Sequence, residues 1–180
     1  QRGARLIVCL DDVANVAELR AACVRHGATL ECLVEIECGQ ERCGVAGPAA
    51  AVSLADAIAH APGLSFAGIQ VYQGAAQHLP SHDARASRVA GVIGIAKRAV
   101  DALGAAGHDC KIVGGAGTGT FRLEGASGVF NELQCGSYAF MDADYGRLTD
   151  ASGQRLDAGE WENALFLLTS IMSHPTPTRA

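Results

Sequence analysis

The sequence is poor in the features that place a protein in a bilayer or on nucleic acid. No apolar run approaches the roughly 20 residues that cross a membrane, and no secretory signal is read near its start. Lys and Arg number 14 against 19 Asp and Glu, a formal net charge of −5. A nucleic-acid binder needs a basic surface to displace counterions, so no such partner is expected. The seven cysteines (Cys9, Cys23, Cys32, Cys38, Cys43, Cys110 and Cys135) include no Cys-x-x-Cys pair, and no second pair or nearby His completes a zinc set around Cys38 and Cys43. Most lie in apolar runs and read as small core residues of a protein in a reducing cytoplasm. Proline-rich linkers, low-complexity tracts and short repeats are also missing. What remains is 180 residues, 49% hydrophobic and 18% charged, enough for one domain with a sizeable core.

Strand-like and helix-like segments alternate. Arg5–Leu10 is a short apolar run bounded by Asp11 and Asp12, and Asn15–His26 carries Val16, Leu19, Ala22 and Cys23 at helical spacing before Gly27. Leu30–Glu37 reads as a strand, Pro48–His60 as a helix stopped by Pro62-Gly63, and Leu64–Tyr72 as a strand. A long helix is expected from Ser81 or Asp83 to Ala106, then strands at Lys111–Val113 and Val129–Leu133. Leu165–Met172 is a last apolar run that fits helix or strand, and its place in the alternation favours a strand. This pattern implies βα units on a mainly parallel sheet, leaving a doubly wound sheet or a (β/α) barrel. Roughly five to six units fall short of the eight of a closed barrel.

In either architecture ligands bind at the carboxyl ends of the strands. Four successive strand exits are polar and rich in glycine: Glu35–Gly44, Gln70–His78, Gly114–Thr120 and Glu132–Tyr138. The third, after Lys111-Ile112-Val113, reads Gly-Gly-Ala-Gly-Thr-Gly-Thr. Glycines let backbone N–H groups approach an anion, and threonines add hydroxyls. It is no P-loop, because no Gly-Lys-Ser/Thr follows. It is no dinucleotide fingerprint, because Gly115 and Gly117 fit but Thr120 stands where the third glycine belongs. With Thr118 and Thr120 it suits a phosphate monoester, and a turn without ligand is the alternative.

Arg42, between Cys38-Gly39 and Cys43-Gly44, has the chemistry to bind an anionic oxygen, or to pair with Glu41 or Glu37 on the surface. His78 lies six residues after Tyr72 in a loop with two glutamines, and histidine suits proton transfer near neutral pH. His26, His60, His82, His108 and His174 have no comparable context. Asp142, Asp144 and Tyr145 read as a structural turn or an outer support of the site rather than a metal pair.

Four segments in combination carry a resemblance: VEIECGQERCGV, GIQVYQGAAQH, IVGGAGTGTF and ELQCGSYAFMDADYGR. They resemble the D-threonine aldolase and D-serine dehydratase family, and most of all its 3-hydroxy-D-aspartate aldolase-like members, from about Arg5 to Pro175. The family is similar to alanine racemase, a pyridoxal phosphate (PLP) enzyme with a (β/α)8 TIM barrel and a following β domain. The fold implied is therefore α/β, a partial barrel of the alanine racemase N-terminal type.

The resemblance also implies roles. Arg42 corresponds to the arginine at the cofactor's phenolic oxygen, and Tyr72 to a tyrosine lining the pocket. His78 corresponds to the base that takes the substrate's β-hydroxyl proton. Gly115, Gly117 and Thr118 match the phosphate loop, and Gln134, Gly136, Ser137 and Tyr138 a second stretch near ring nitrogen and phosphate. The implied reaction is retro-aldol cleavage of a D-3-hydroxy amino acid to glycine and an aldehyde, in a homodimer. Dehydration, racemisation or non-catalytic binding of a phosphorylated ligand are the alternatives.

Some of the family pattern is missing. PLP enzymes form an internal imine with a lysine. Of the two lysines here, Lys97 reads as a helix residue and Lys111 as the wrong end of a strand. The histidine-flanked lysine segment belongs before the present residues. The ligands of a divalent metal (Mn, Mg or Zn) belong beyond Ala180, so no metal ligand is assigned. Gln73 stands where relatives often have histidine. The chain is thus expected to be the middle of a longer enzyme, of low stability because an incomplete barrel exposes a sheet edge.

Overall fold

The computed structural model describes residues 3–158 and 161–179. Its strands are β1 (Ile7–Leu10), β2 (Leu30–Glu35), β3 (Leu64–Val71), β4 (Ile112–Gly115) and β5 (Glu132–Leu133). The helices are α1 (Val13–His26), α2 (Gly47–Ala59), α3 (His82–Ala105), α4 (Phe121–Gly125) and α5 (Ala143–Gly146). Local chemistry sets the longer boundaries. The Asp12 carboxylate accepts the Ala14 N–H at 2.8 Å to start α1, and Gly27 closes it in the left-handed conformation. Ser81 caps α3 by accepting the Ala84 N–H at 3.2 Å.

All strand pairs are parallel, in the order β1-β2-β3-β4-β5. A doubly wound sheet reverses its strand order and carries helices on both faces. Here one face carries the three long helices: Val34, Ile69, Val71 and Val113 share a single core with Val16 of α1, Leu54 and Ile58 of α2, and Val92 and Leu103 of α3. Sequential parallel strands with helices on one side form a stretch of (β/α) barrel wall. Among the described residues β1 and β5 are its edges.

The helix-free face changes character along the strands. It is apolar near their amino ends, where Ile7, Leu33, Ala67 and Ile112 cluster. Toward the carboxyl ends it turns polar, with Glu35, Gln70, Gly114 and Glu132 in register across β2 to β5. The close approach of β3 to β4 requires Gly68. A Cβ there would lie 1.8 Å from the Ile112 carbonyl oxygen, and φ is +144°.

Two expected strands differ. Val129–Leu133 contracts to Glu132–Leu133, since Phe130 turns into the helix-side core. Leu165–Met172 forms no regular element, and its large side chains are exposed, Leu168 at 98%. A strand needs a ladder partner, and none of the described strands runs beside this segment. No described helix is long and apolar enough to cross a membrane.

Candidate active site

The four polar exits meet at the carboxyl rim of the sheet, as parallel topology requires. The glycine loop leaves β4 through Ala116, whose φ of 64° is left-handed for a residue with a Cβ. Every residue from Ile112 to Thr120 is buried. Gly115 ends β4, where a Cβ would lie 2.3 Å from the Val71 carbonyl oxygen and 2.7 Å from the Phe130 ring. A Cβ on Gly117 would lie 2.6 Å from Gln77 Oε1. The glycines thus let the loop lie flat against β3 and Gln77.

The two threonines face different ways. The Thr118 hydroxyl oxygen accepts the Tyr138 N–H at 3.0 Å, joining the loop to the β5 exit. Thr120 points inward instead, a correction to its reading as a phosphate donor. Its hydroxyl oxygen accepts Gln77 Nε2–H at 2.8 Å and its proton goes to Glu124 Oε1 at 2.9 Å. Gln77 Oε1 in turn accepts the Gly119 N–H at 3.0 Å. Glu124 is buried with its second oxygen unpartnered, and burial pushes its carboxyl up to about 7.

The backbone N–H groups of Gly117 and Thr118, and of Gly136 and Ser137 opposite, have no acceptor among the described residues. Two segments of N–H donors without acceptors, brought together by the Thr118–Tyr138 hydrogen bond, could form an anion cup. Below it, Gln134 and Gln70 form a reciprocal amide pair (2.5 and 2.8 Å) on the helix-free face. Gly114 makes room for that pair, since a Cβ would lie 2.9 Å from Gln70 Oε1.

Arg42 is exposed at the rim of the β2 exit, its guanidinium 5.9 Å from the centre of the Tyr72 ring. The Cys43 side chain beside it reinforces its charge. Glu37 does not compete for it: its carboxylate caps the following turn, accepting the Gly39 and Gln40 N–H groups. Gln73 is buried and bonds the Cys38 carbonyl at 3.2 Å, tying the β2 and β3 exits together.

His78 ends a 3-10 turn at Ala75–His78, exposed, with Nδ1 2.5 Å from Asp144 Oδ2. Asp142 caps α5, as the structural reading of that segment anticipates. Neither lysine stands at the rim. Lys97 pairs with Asp101 on α3 at 2.9 Å, and Lys111 precedes the amino end of β4. The thiols of Cys32, Cys38 and Cys110 are pushed up to about 11 by burial, which makes them poor nucleophiles. Among the described residues no group of three or more His, Cys, Asp or Glu could hold a metal ion.

Residues 1–144 match the alanine racemase N-terminal domain. The chain belongs to that family. It is 56% identical, over 97% of its length, to a 3-hydroxy-D-aspartate aldolase of Paracoccus denitrificans, and spans 45% of that relative. Among solved structures, a D-threonine aldolase from Filomicrobium marinum superposes with a TM-score of 0.86 at 44% identity, over 94% of this chain and 45% of that one. A D-threo-3-hydroxyaspartate dehydratase from Delftia sp. HT23 superposes with a TM-score of 0.70 at 25% identity, over 78% of this chain and 38% of that one. The chain thus spans about half the length of the relatives it matches. As a member of the alanine racemase family its sheet is barrel wall, in keeping with the sequential strand order.

Sequence reasoning missed Gln77, Glu124 and Gln70 as partners. Asp144, read from the Met-Asp-Ala-Asp-Tyr-Gly segment as a turn or an outer support of the site, gave no sign that His78 is its partner.

Proposed function

We propose that this chain carries the cofactor-binding wall of a PLP-dependent lyase that cleaves D-3-hydroxy amino acids to glycine and an aldehyde. The observation that carries the reading is the anion cup, built where the barrel fold places its ligands. The names of the aldolase relatives supply the reaction class.

The residues present fit PLP in their donor chemistry. The N–H groups of Gly117, Thr118, Gly136 and Ser137 and the Thr118 hydroxyl would hold the phosphate. Gln134, released from its pairing with Gln70, would offer the ring nitrogen a neutral amide, and Arg42 would offer its charge to the phenolic oxygen. Tyr72 and Gly115 complete the wall, and Tyr138 anchors it through its N–H on Thr118. When bound, PLP supplies an electron sink for the bond that breaks. His78 accepts the β-hydroxyl proton of the substrate, the step that commits a hydroxy amino acid to cleavage. The divalent metal and the homodimer implied by the resemblance belong to the same proposal. The described residues do not fit a metal, so no step is drawn through one.

Because the Delftia dehydratase shares the fold, dehydration is the second reading. The test is product analysis with the whole protein. D-threonine or 3-hydroxy-D-aspartate is expected to give glycine with acetaldehyde or glyoxylate. Pyruvate and ammonia from D-serine, without aldehyde from the other substrates, would move the assignment to dehydration. Failure of this chain to bind PLP, or equal binding by T118A, would remove the cup from the site.

A further inference from the structure

His78 and Asp144 lie 66 residues apart, yet Nδ1 and Oδ2 stand at 2.5 Å. The pair is built from both sides. The other Asp144 oxygen, Oδ1, takes the Arg147 guanidinium, which fixes the carboxylate plane. The His78 ring lies tilted against Tyr145, centres 5.7 Å apart. Behind the histidine the chain is clasped to the segment that follows α5. Pro80 O accepts the Thr149 N–H at 3.0 Å and its hydroxyl at 3.2 Å. The buried Arg85 guanidinium donates to Leu79 O at 2.7 Å and Pro80 O at 2.9 Å, and also to Thr149 O. The Asp142 cap holds the start of α5 through the Asp144 and Tyr145 N–H groups at 2.9 and 2.8 Å.

A carboxylate accepts and does not donate, so its partner nitrogen carries the proton. Nδ1–H then faces Asp144, and the lone pair lies on Nε2, which has no hydrogen-bond partner among the described residues. A histidine side chain in water prefers the opposite tautomer, Nε2–H. We propose that Asp144 is a positioning residue: it holds His78 as the Nδ1–H tautomer and aims the Nε2 lone pair at the substrate's β-hydroxyl proton. This rests on the reading of His78 as the base of the proposed lyase. The hydrogen bond from His78, and then that from Arg147, hold the Asp144 carboxyl below the usual carboxylate range, so it stays an acceptor throughout the neutral range. The groups facing the imidazole are Asp144 and Tyr145 of α5, with Arg147 beyond the carboxylate. The arrangement follows the logic of a base oriented by a carboxylate.

The test is 15N NMR of histidine-labelled chain at a pH where imidazole is neutral, with the His78 signal assigned by its loss in H78Q. The wild type is expected to show a protonated Nδ1 and an unprotonated Nε2. D144A is expected to revert to the Nε2–H form, and D144E to restore Nδ1–H. An Nε2–H tautomer in the wild type, or no change in D144A, overturns the proposal. In the whole enzyme D144A is expected to lower kcat about tenfold or more with KM little changed, and D144E to recover most of it. A tautomer that moves while kcat stays overturns the positioning role. Unchanged kcat in H78Q would instead sink the reading of His78 as the base.

Discussion

Glu124 offers a test of the packing behind the glycine loop that needs no cofactor. Its side chain is buried, one oxygen accepts the Thr120 hydroxyl, and the other has no partner. Burial raises its pKa from 4.5 to about 7, with the Thr120 hydrogen bond opposing. An acid whose folded pKa is raised contributes stability that is present below its unfolded pKa and is lost as pH rises through the folded value. The loss therefore runs from about pH 4.5 to about pH 7. At ~1.4 kcal/mol per pH unit, and discounted for residual solvation, it amounts to about 2–3 kcal/mol. Gln keeps the oxygen that accepts from Thr120 and never ionises. E124Q is thus expected to match the wild type at pH 4 and to exceed it by about 2–3 kcal/mol at pH 8. Urea unfolding followed by circular dichroism at both pH values, with unchanged m, measures this directly. Parallel pH profiles for E124Q and wild type would refute the account, and so would an E124Q less stable at pH 8.

The remaining predictions concern the loop's backbone and its support. G115A places a Cβ 2.3 Å from the Val71 carbonyl oxygen, a backbone atom, and is expected to cost about 2 kcal/mol or more, read as a fall in urea midpoint. G91A, on an exposed turn of α3 where a Cβ meets nothing within 4 Å, is expected to gain about 0.5–1 kcal/mol in the same assay. T120V removes the link between Gln77 and Glu124 at similar volume and is expected to cost about 1–3 kcal/mol. It should also weaken PLP binding less than T118A in a cofactor titration, because only Thr118 faces the cup.

The legible part of this fold is the part governed by neighbours in sequence. Asp12 and Gly27 mark the ends of α1, and Ser81 the start of α3, by hydrogen bonds that span four residues or fewer. The convergence of four polar exits was legible too, because parallel strands joined by helices bring every exit to one rim. Strand order was not, and it settles barrel wall against doubly wound sheet. It depends on which face receives the helices, and the buried strands are apolar on both faces near their amino ends. Leu165–Met172 failed because hydrophobicity alone stands in for a missing ladder partner.

The site divides along the same line. Glycines and hydroxyls gave the loop its chemical character, but not the direction each hydroxyl takes. Thr118 and Thr120 are two residues apart and look equivalent in sequence. One turns to the β5 exit and the other to a buried glutamine and acid, because Gln77 lies under the loop and claims the Gly119 N–H as well. The loop's shape is therefore set from beneath, by β3 and its exit, while its outer N–H groups stay free for an anion. Asp144 and His78 follow the same rule. Neither segment names the other, and their pairing depends on tertiary contacts such as Arg85 and Thr149 clasping two distant loops through backbone carbonyls. Residues that bind the ligand can be recognised by type and spacing. Those that aim them are fixed by tertiary contacts, so tests of this site should perturb the supports as well as the binding groups.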